Sequence, residues 1–116
     1  MTRLYFALDL RDDEAAIREY EQWHRPDRIW PQIVASIRAA GISDMEIYRT
    51  GNRLVMVMET GPAFDPAAKA AADAADPRVQ AWERLMERFQ QALPWAATGQ
   101  KWVPMTRIFS LRQCSD

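Results

Sequence analysis

The single histidine of this 116-residue chain, His24, stands four positions after Tyr20, with Trp23 and Trp30 close by. An imidazole trades a proton near neutral pH, so a group able to act as acid or base sits beside large flat apolar faces. If the first helix persists to His24, the four-residue step projects Tyr20 and His24 from one face, one turn apart, and Trp23 points elsewhere. The plainer reading is a histidine that merely ends a helix, where the terminal carbonyls favour a cation, with the aromatics serving as core.

Other side chains with chemical potential admit the same two readings. Trp82 falls on an apolar helical stripe and could be core or the wall of a site; Glu83 beside it faces off that stripe, as a solvated carboxylate or a ligand contact. Tyr48, near the end of a hairpin strand, either donates a hydroxyl into a pocket or caps the sheet edge. Glu59, ending the next strand, reads as a solvated rim residue or a buried base. Met56, Met58 and Met105 read as filling of a core or a dimer interface. The sequence contains no glycine-rich phosphate loop, no GxSxG and no HExxH. One histidine, one cysteine (Cys114) and no acidic triplet offer poor material for a metal site, and a lone cysteine cannot form an internal disulfide. Chemistry by protein groups alone fits best.

The composition allows one globular domain. Hydrophobic residues make up 48% and charged residues 27%, and the formal net charge is −1. Basic residues are scattered among acids, so the electrostatic footprint of a nucleic-acid partner is missing. No apolar run approaches the roughly 20 residues of a membrane span. The opening run Leu4 to Leu8 is too short for a secretory segment, and cytoplasm is the default expectation.

The elements that must position these residues follow from pattern. Leu4 to Leu10 reads as a buried strand, and Asp12 or Asp13 as the N-cap of a helix running to about His24, broken by Pro26. A second helix starts at Pro31, lines up Ile33, Val34 and Ile37, and stops at Gly41. Strands Met45 to Arg49 and Arg53 to Glu59 join through Thr50-Gly51-Asn52, whose Gly and Asn tolerate the positive φ of a tight turn. Asp65-Pro66 and Asp76-Pro77 each read as an N-cap with proline at the first helical position. The second of these helices carries Val79, Trp82, Met86, Phe89 and Leu93 on one stripe ending at Pro94. A last strand is expected over about Trp102 to Leu111, with Pro104 near its start, at an edge or at a bulge. The order βαββαβ predicts an α+β, ferredoxin-like antiparallel sheet with helices on one face. Both faces of two strands are apolar, so the open face predicts a homodimer whose sheets close face to face into an α+β barrel.

The Tyr-x-x-x-His step, Ile29-Trp30-Pro31, the helix to Gly41, the Tyr48 hairpin and Trp82-x-x-x-Met86 together resemble the L-rhamnose mutarotase family, from Met1 to about Leu111. The resemblance implies a small homodimer that interconverts the α and β anomers of a 6-deoxy hexose, L-rhamnose or L-fucose, with neither metal nor cofactor. It makes His24 the catalytic proton donor, Tyr20 a sugar-binding residue, and Trp82 the first of a sugar-binding tryptophan pair. Glu83 replaces the second tryptophan, Met45 stands where rhamnose-type members carry a tyrosine, and two extra residues separate His24 from Ile29. Tyr20, Glu59 and Glu83 remain candidates for the second proton-transfer group. The alternatives on the same architecture are a cofactor-free monooxygenase or haem-binding protein, and a non-enzymatic ligand-binding module.

Overall fold

The computed structural model describes residues 2–115. Strand β1 (Thr2–Leu10) leads into helix α1 (Glu14–Trp23), whose first turn is closed by the Asp13 carboxylate accepting from the Ala15 N–H at 3.0 Å. Helix α2 (Pro31–Ala39) begins on its proline and ends at Gly41, which adopts φ +92°. A Cβ at Gly41 would also lie 3.2 Å from the Phe64 backbone nitrogen, so the position needs glycine twice over. The hairpin of β2 (Ile42–Thr50) and β3 (Arg53–Thr60) turns on Gly51 at φ +56°. Asn52 keeps an ordinary negative φ. It serves instead as a clamp, its amide donating to the Leu10 carbonyl at 3.0 Å while its own carbonyl accepts from the Leu10 N–H at 2.7 Å.

Helices α3 (Pro66–Ala75) and α4 (Pro77–Glu87) start as expected, each with an aspartate cap and a proline in the first turn. The apolar stripe, however, outlasts α4. The helix ends at Glu87, and Phe89 and Leu93 are buried from the turn before β4 and the loop after it, because Gln90–Gln91 (β4) pairs with Asp9 and Leu10 of β1.

The sheet is antiparallel throughout, in the order β2-β3-β1-β4, with β5 (Val103–Pro104) also on β1. The α+β, ferredoxin-like expectation therefore stands, but its last strand is corrected. The edge beside β1 is shared by two short pieces, β4 and β5, in place of one strand from Trp102 to Leu111. Pro104 cannot donate to the ladder, and after the Met105 N–H meets the Tyr5 carbonyl at 2.9 Å the chain leaves the sheet. Ile108 is 94% exposed, and a 3₁₀ turn follows at Leu111–Gln113. The apolar pattern of this segment has nothing in the protomer to bury against.

Alternation along the strands sorts the two faces. Leu4, Phe6, Leu8 and Leu10 of β1 share the helix-covered face with Leu54, Met56 and Met58 of β3 and with Met45 and Ile47 of β2. Leu8, Leu10 and Leu54 have the lowest exposure in the core. Tyr5, Val55, Val57, Glu46 and Tyr48 occupy the opposite face. One corner of that face is closed by Asp9, which is buried and held by a forked pair of bonds from Arg53 at 2.8 and 3.2 Å, with Trp95 stacked under the guanidinium. Among the described residues, no helix is long and apolar enough to cross a membrane.

Candidate active site

The last turn of α1 carries both residues of the Tyr-x-x-x-His step. Glu21 on the same helix is paired with Arg49 at the end of β2, which ties α1 to the sheet. Tyr20 is buried, His24 is half-buried as the helix C-cap, and their rings lie 4.4 Å apart between centroids. His24 Nδ1 sits 2.7 Å from the Tyr20 carbonyl oxygen. A carbonyl can only accept, so Nδ1 holds the ring's proton and Nε2 of the neutral imidazole keeps a free lone pair. Burial pushes the His24 pKa below its ordinary 6.5, partly opposed by that hydrogen bond. Burial also pushes the Tyr20 phenol up to about 12, opposed by a hydrogen bond from the Gln90 side chain. At neutral pH the pair is therefore an uncharged base beside an uncharged acid.

Trp82 of α4 packs edge-on against three rings, His24 at 5.6 Å, Trp30 at 5.2 Å and Trp23 at 6.4 Å. Trp23 does not line the hollow beside Tyr20 and His24 and packs edge-on against Trp82. Between the helices and the covered face of the sheet lies a hollow of about 300 Å³, within the size range of small-molecule pockets. Tyr20, His24, Trp82, Glu83 and Met45 all line it. Of the two readings of Glu83, the structure favours the one that brings it to the hollow, where its carboxylate accepts from Gln80 at 3.4 Å.

Two expected residues lie elsewhere. Tyr48 and Glu59 are on the opposite face of the sheet from Met45, Ile47, Met56 and Met58, because strand residues alternate: Tyr48 is out of step with Met45 and Ile47 along β2, and Glu59 with Met56 and Met58 along β3. Tyr48 is 58% exposed and donates to Glu46 at 2.9 Å, a contact that raises its pKa. Neither lines the hollow within the protomer. Sequence reasoning missed Ser36, Lys69, Asp73, Gln90, Lys101 and Trp102, which do. A signal existed for two of them: after Pro66, Lys69 and Asp73 are the only residues of α3 that are not alanine. Among the described residues, no group of three or more His, Cys, Asp or Glu side chains is disposed to hold a metal ion.

A sequence model of the L-rhamnose mutarotase family matches residues 3–111. The chain is 58% identical over 113 residues to an L-fucose mutarotase of Xanthomonas campestris, covering 97% of this chain and 90% of that protein. It is 30% identical to an L-rhamnose mutarotase of Acidiphilium cryptum, covering 96% and 99% respectively. The crystal structure of an L-rhamnose mutarotase from Formosa agariphila superposes with a TM-score of 0.69 at 20% identity, covering 96% of this chain and 99% of that one, and shares the fold. Fold, hollow and relatives together define a carbohydrate isomerase, a sugar mutarotase. The chain belongs to the L-rhamnose mutarotase family. That membership decides between the expectation of a mutarotase and its monooxygenase, haem-binding and binding-module alternatives.

Proposed function

We propose that this enzyme exchanges the α and β anomers of a 6-deoxy hexose, with L-fucose the preferred sugar, and that His24 and Tyr20 move the protons. The relative at 58% identity is an L-fucose mutarotase, whereas the L-rhamnose mutarotase stands at 30%. Ring opening requires a base to take the proton from O1 as the C1–O5 bond breaks, its electrons going to O5, and an acid to protonate O5. The neutral His24 takes the O1 proton on Nε2, and the Tyr20 hydroxyl gives its proton to O5. The aldehyde then turns about C1–C2. On closure O5 attacks the other face of the carbonyl, returns its proton to Tyr20, and the imidazolium reprotonates O1.

Each such group supplies about 10²- to 10⁴-fold, and mutarotation already proceeds slowly in water, so this pair is sufficient. Trp82 lies against the apolar side of the ring and the C6 methyl, while Glu83 accepts from a hydroxyl and Met45 packs on the sugar's edge. The observation that carries the reading is the Nδ1 anchor of His24, which leaves Nε2 as the reacting atom of a ring that lines the hollow.

The working unit is a homodimer closed across the outer sheet face. Support comes from Tyr5, Val55, Val57 and Tyr48 on that face and from the exposed Met105, Ile108 and Phe109 beyond β5.

NMR saturation transfer between the α and β anomeric protons tests the enzymatic reading on L-fucose, L-rhamnose and D-hexoses. Catalysed exchange is expected to be fastest on L-fucose, and His24→Ala is expected to remove most of it. Exchange by His24→Ala at the parent rate would refute the assignment of His24.

A further inference from the structure

Helix α3 buries none of its residues in the core, yet it closes one end of the hollow. Its two non-alanine residues after Pro66, Lys69 and Asp73, stand one turn apart with Nζ 2.5 Å from Oδ2. Their side chains are only 23% and 20% exposed. Gln80 of α4 fixes the placement, donating to the Asp73 backbone carbonyl at 2.9 Å and reaching Glu83 at 3.4 Å.

Stability does not account for this arrangement. A pair of this spacing contributes little to a helix, and withdrawing both charges from water opposes even that. Recognition does account for it. An ammonium has three donors and a carboxylate about four acceptor sites, and their mutual contact uses one of each. The valences that remain suit two adjacent ring hydroxyls, one receiving a hydrogen bond from Lys69 and its neighbour giving one to Asp73. The rest of the wall around the sugar is largely apolar, and such a wall separates isomers poorly. L-fucose and L-rhamnose share one formula and differ only in hydroxyl configuration at C2 and C4, so a choice between them needs polar groups of fixed position.

We infer that the Lys69–Asp73 pair is the specificity element of this site, holding two neighbouring hydroxyls of the pyranose and selecting among 6-deoxy hexoses by their configuration. The inference rests on the mutarotase reading above. It is tested with Asp73→Asn and with the exchanged pair Lys69→Asp/Asp73→Lys. The exchanged pair keeps an ion pair at the same spacing and puts the acid on the N-terminal side, the better orientation for a helix. Steady-state anomer exchange is measured on L-fucose and L-rhamnose, with unfolding temperature alongside.

Charged hydrogen bonds predict a loss of roughly tenfold to a hundredfold in kcat/KM on L-fucose for both variants. The loss is carried mainly by KM, the fucose-to-rhamnose preference collapses, and the exchanged pair unfolds at the parent temperature. Parent-like kcat/KM and preference in the exchanged pair would overturn the inference, as would an equal loss on both sugars tracking a drop in unfolding temperature. If the parent enzyme exchanged neither sugar, the mutarotase reading would fall first and this inference with it, a failure visible before any variant is made.

Discussion

Tyr20→Phe removes one oxygen and one proton from the wall beside His24 and leaves the ring where it was. The hydroxyl has two possible jobs, and their magnitudes separate them. As a neutral hydrogen bond to the sugar it contributes about 0.5–1.5 kcal/mol, or roughly 2- to 12-fold in kcat/KM. As the acid that protonates O5 it contributes about 10²- to 10⁴-fold, falling on kcat. A phenol held at about 12 by burial keeps its proton at neutral pH and so has one to give.

The variant should fold. Phe retains the contacts of the Tyr20 ring with His24 at 4.4 Å and Phe89 at 6.1 Å. Loss of the Gln90 contact costs about 1 kcal/mol, a few degrees of unfolding temperature. Saturation transfer on L-fucose across a concentration series separates kcat from KM. A fall of more than a hundredfold in kcat is expected. A loss below tenfold, or one confined to KM, would mean that Tyr20 only binds sugar and that the proton on O5 comes from elsewhere.

In the proposed mechanism the reacting imidazole is the neutral form, and burial lowers its pKa, so kcat/KM should be level through neutral pH and decline only on the acid side, below the ordinary 6.5; a decline beginning above pH 7 would contradict a neutral base. Stability carries the same sign: the folded His24 binds fewer protons than the unfolded one, so its contribution is full above pH 6.5 and is lost as pH falls through the lowered value, seen as an unfolding temperature that drops with acid less steeply in His24→Gln. Val55→Lys puts a charge in the middle of the outer sheet face, and sedimentation should show the variant as a monomer and the parent as the proposed dimer; a dimer unchanged by the substitution would move the interface to another surface.

Much of the site was legible because its key residues obey local rules. The step from Tyr20 to His24 is one helical turn, and Asp13, Asp65 and Asp76 cap helices where short carboxylates before a helix should. Tyr48 and Glu59 lie outside the hollow of the protomer for a reason a count along each strand supplies. Once Met45 and Ile47, and Met56 and Met58, are assigned to the covered face, residues of opposite parity must face away. The strands hide this because Val55 and Val57 make both faces apolar. The split edge strand was illegible for a different reason: whether the residues after Pro104 pair depends on what covers them, which is a tertiary fact. Lys69 and Asp73 escaped the sequence reading, since their enclosure depends on α4 packing beside α3, which is a tertiary fact.

The anchor of His24 is the peptide carbonyl of Tyr20 itself, so the proposed base, the proposed acid and the group that orients the base all belong to a single turn at the C-terminal end of one helix. Helix ends open more readily than the core they cover. Opening that turn disperses the whole proton-handling apparatus in one event while the sheet stays intact. If that turn opens before the domain melts, turnover is expected to fail below the unfolding temperature, and activity and unfolding scans run side by side would show the gap.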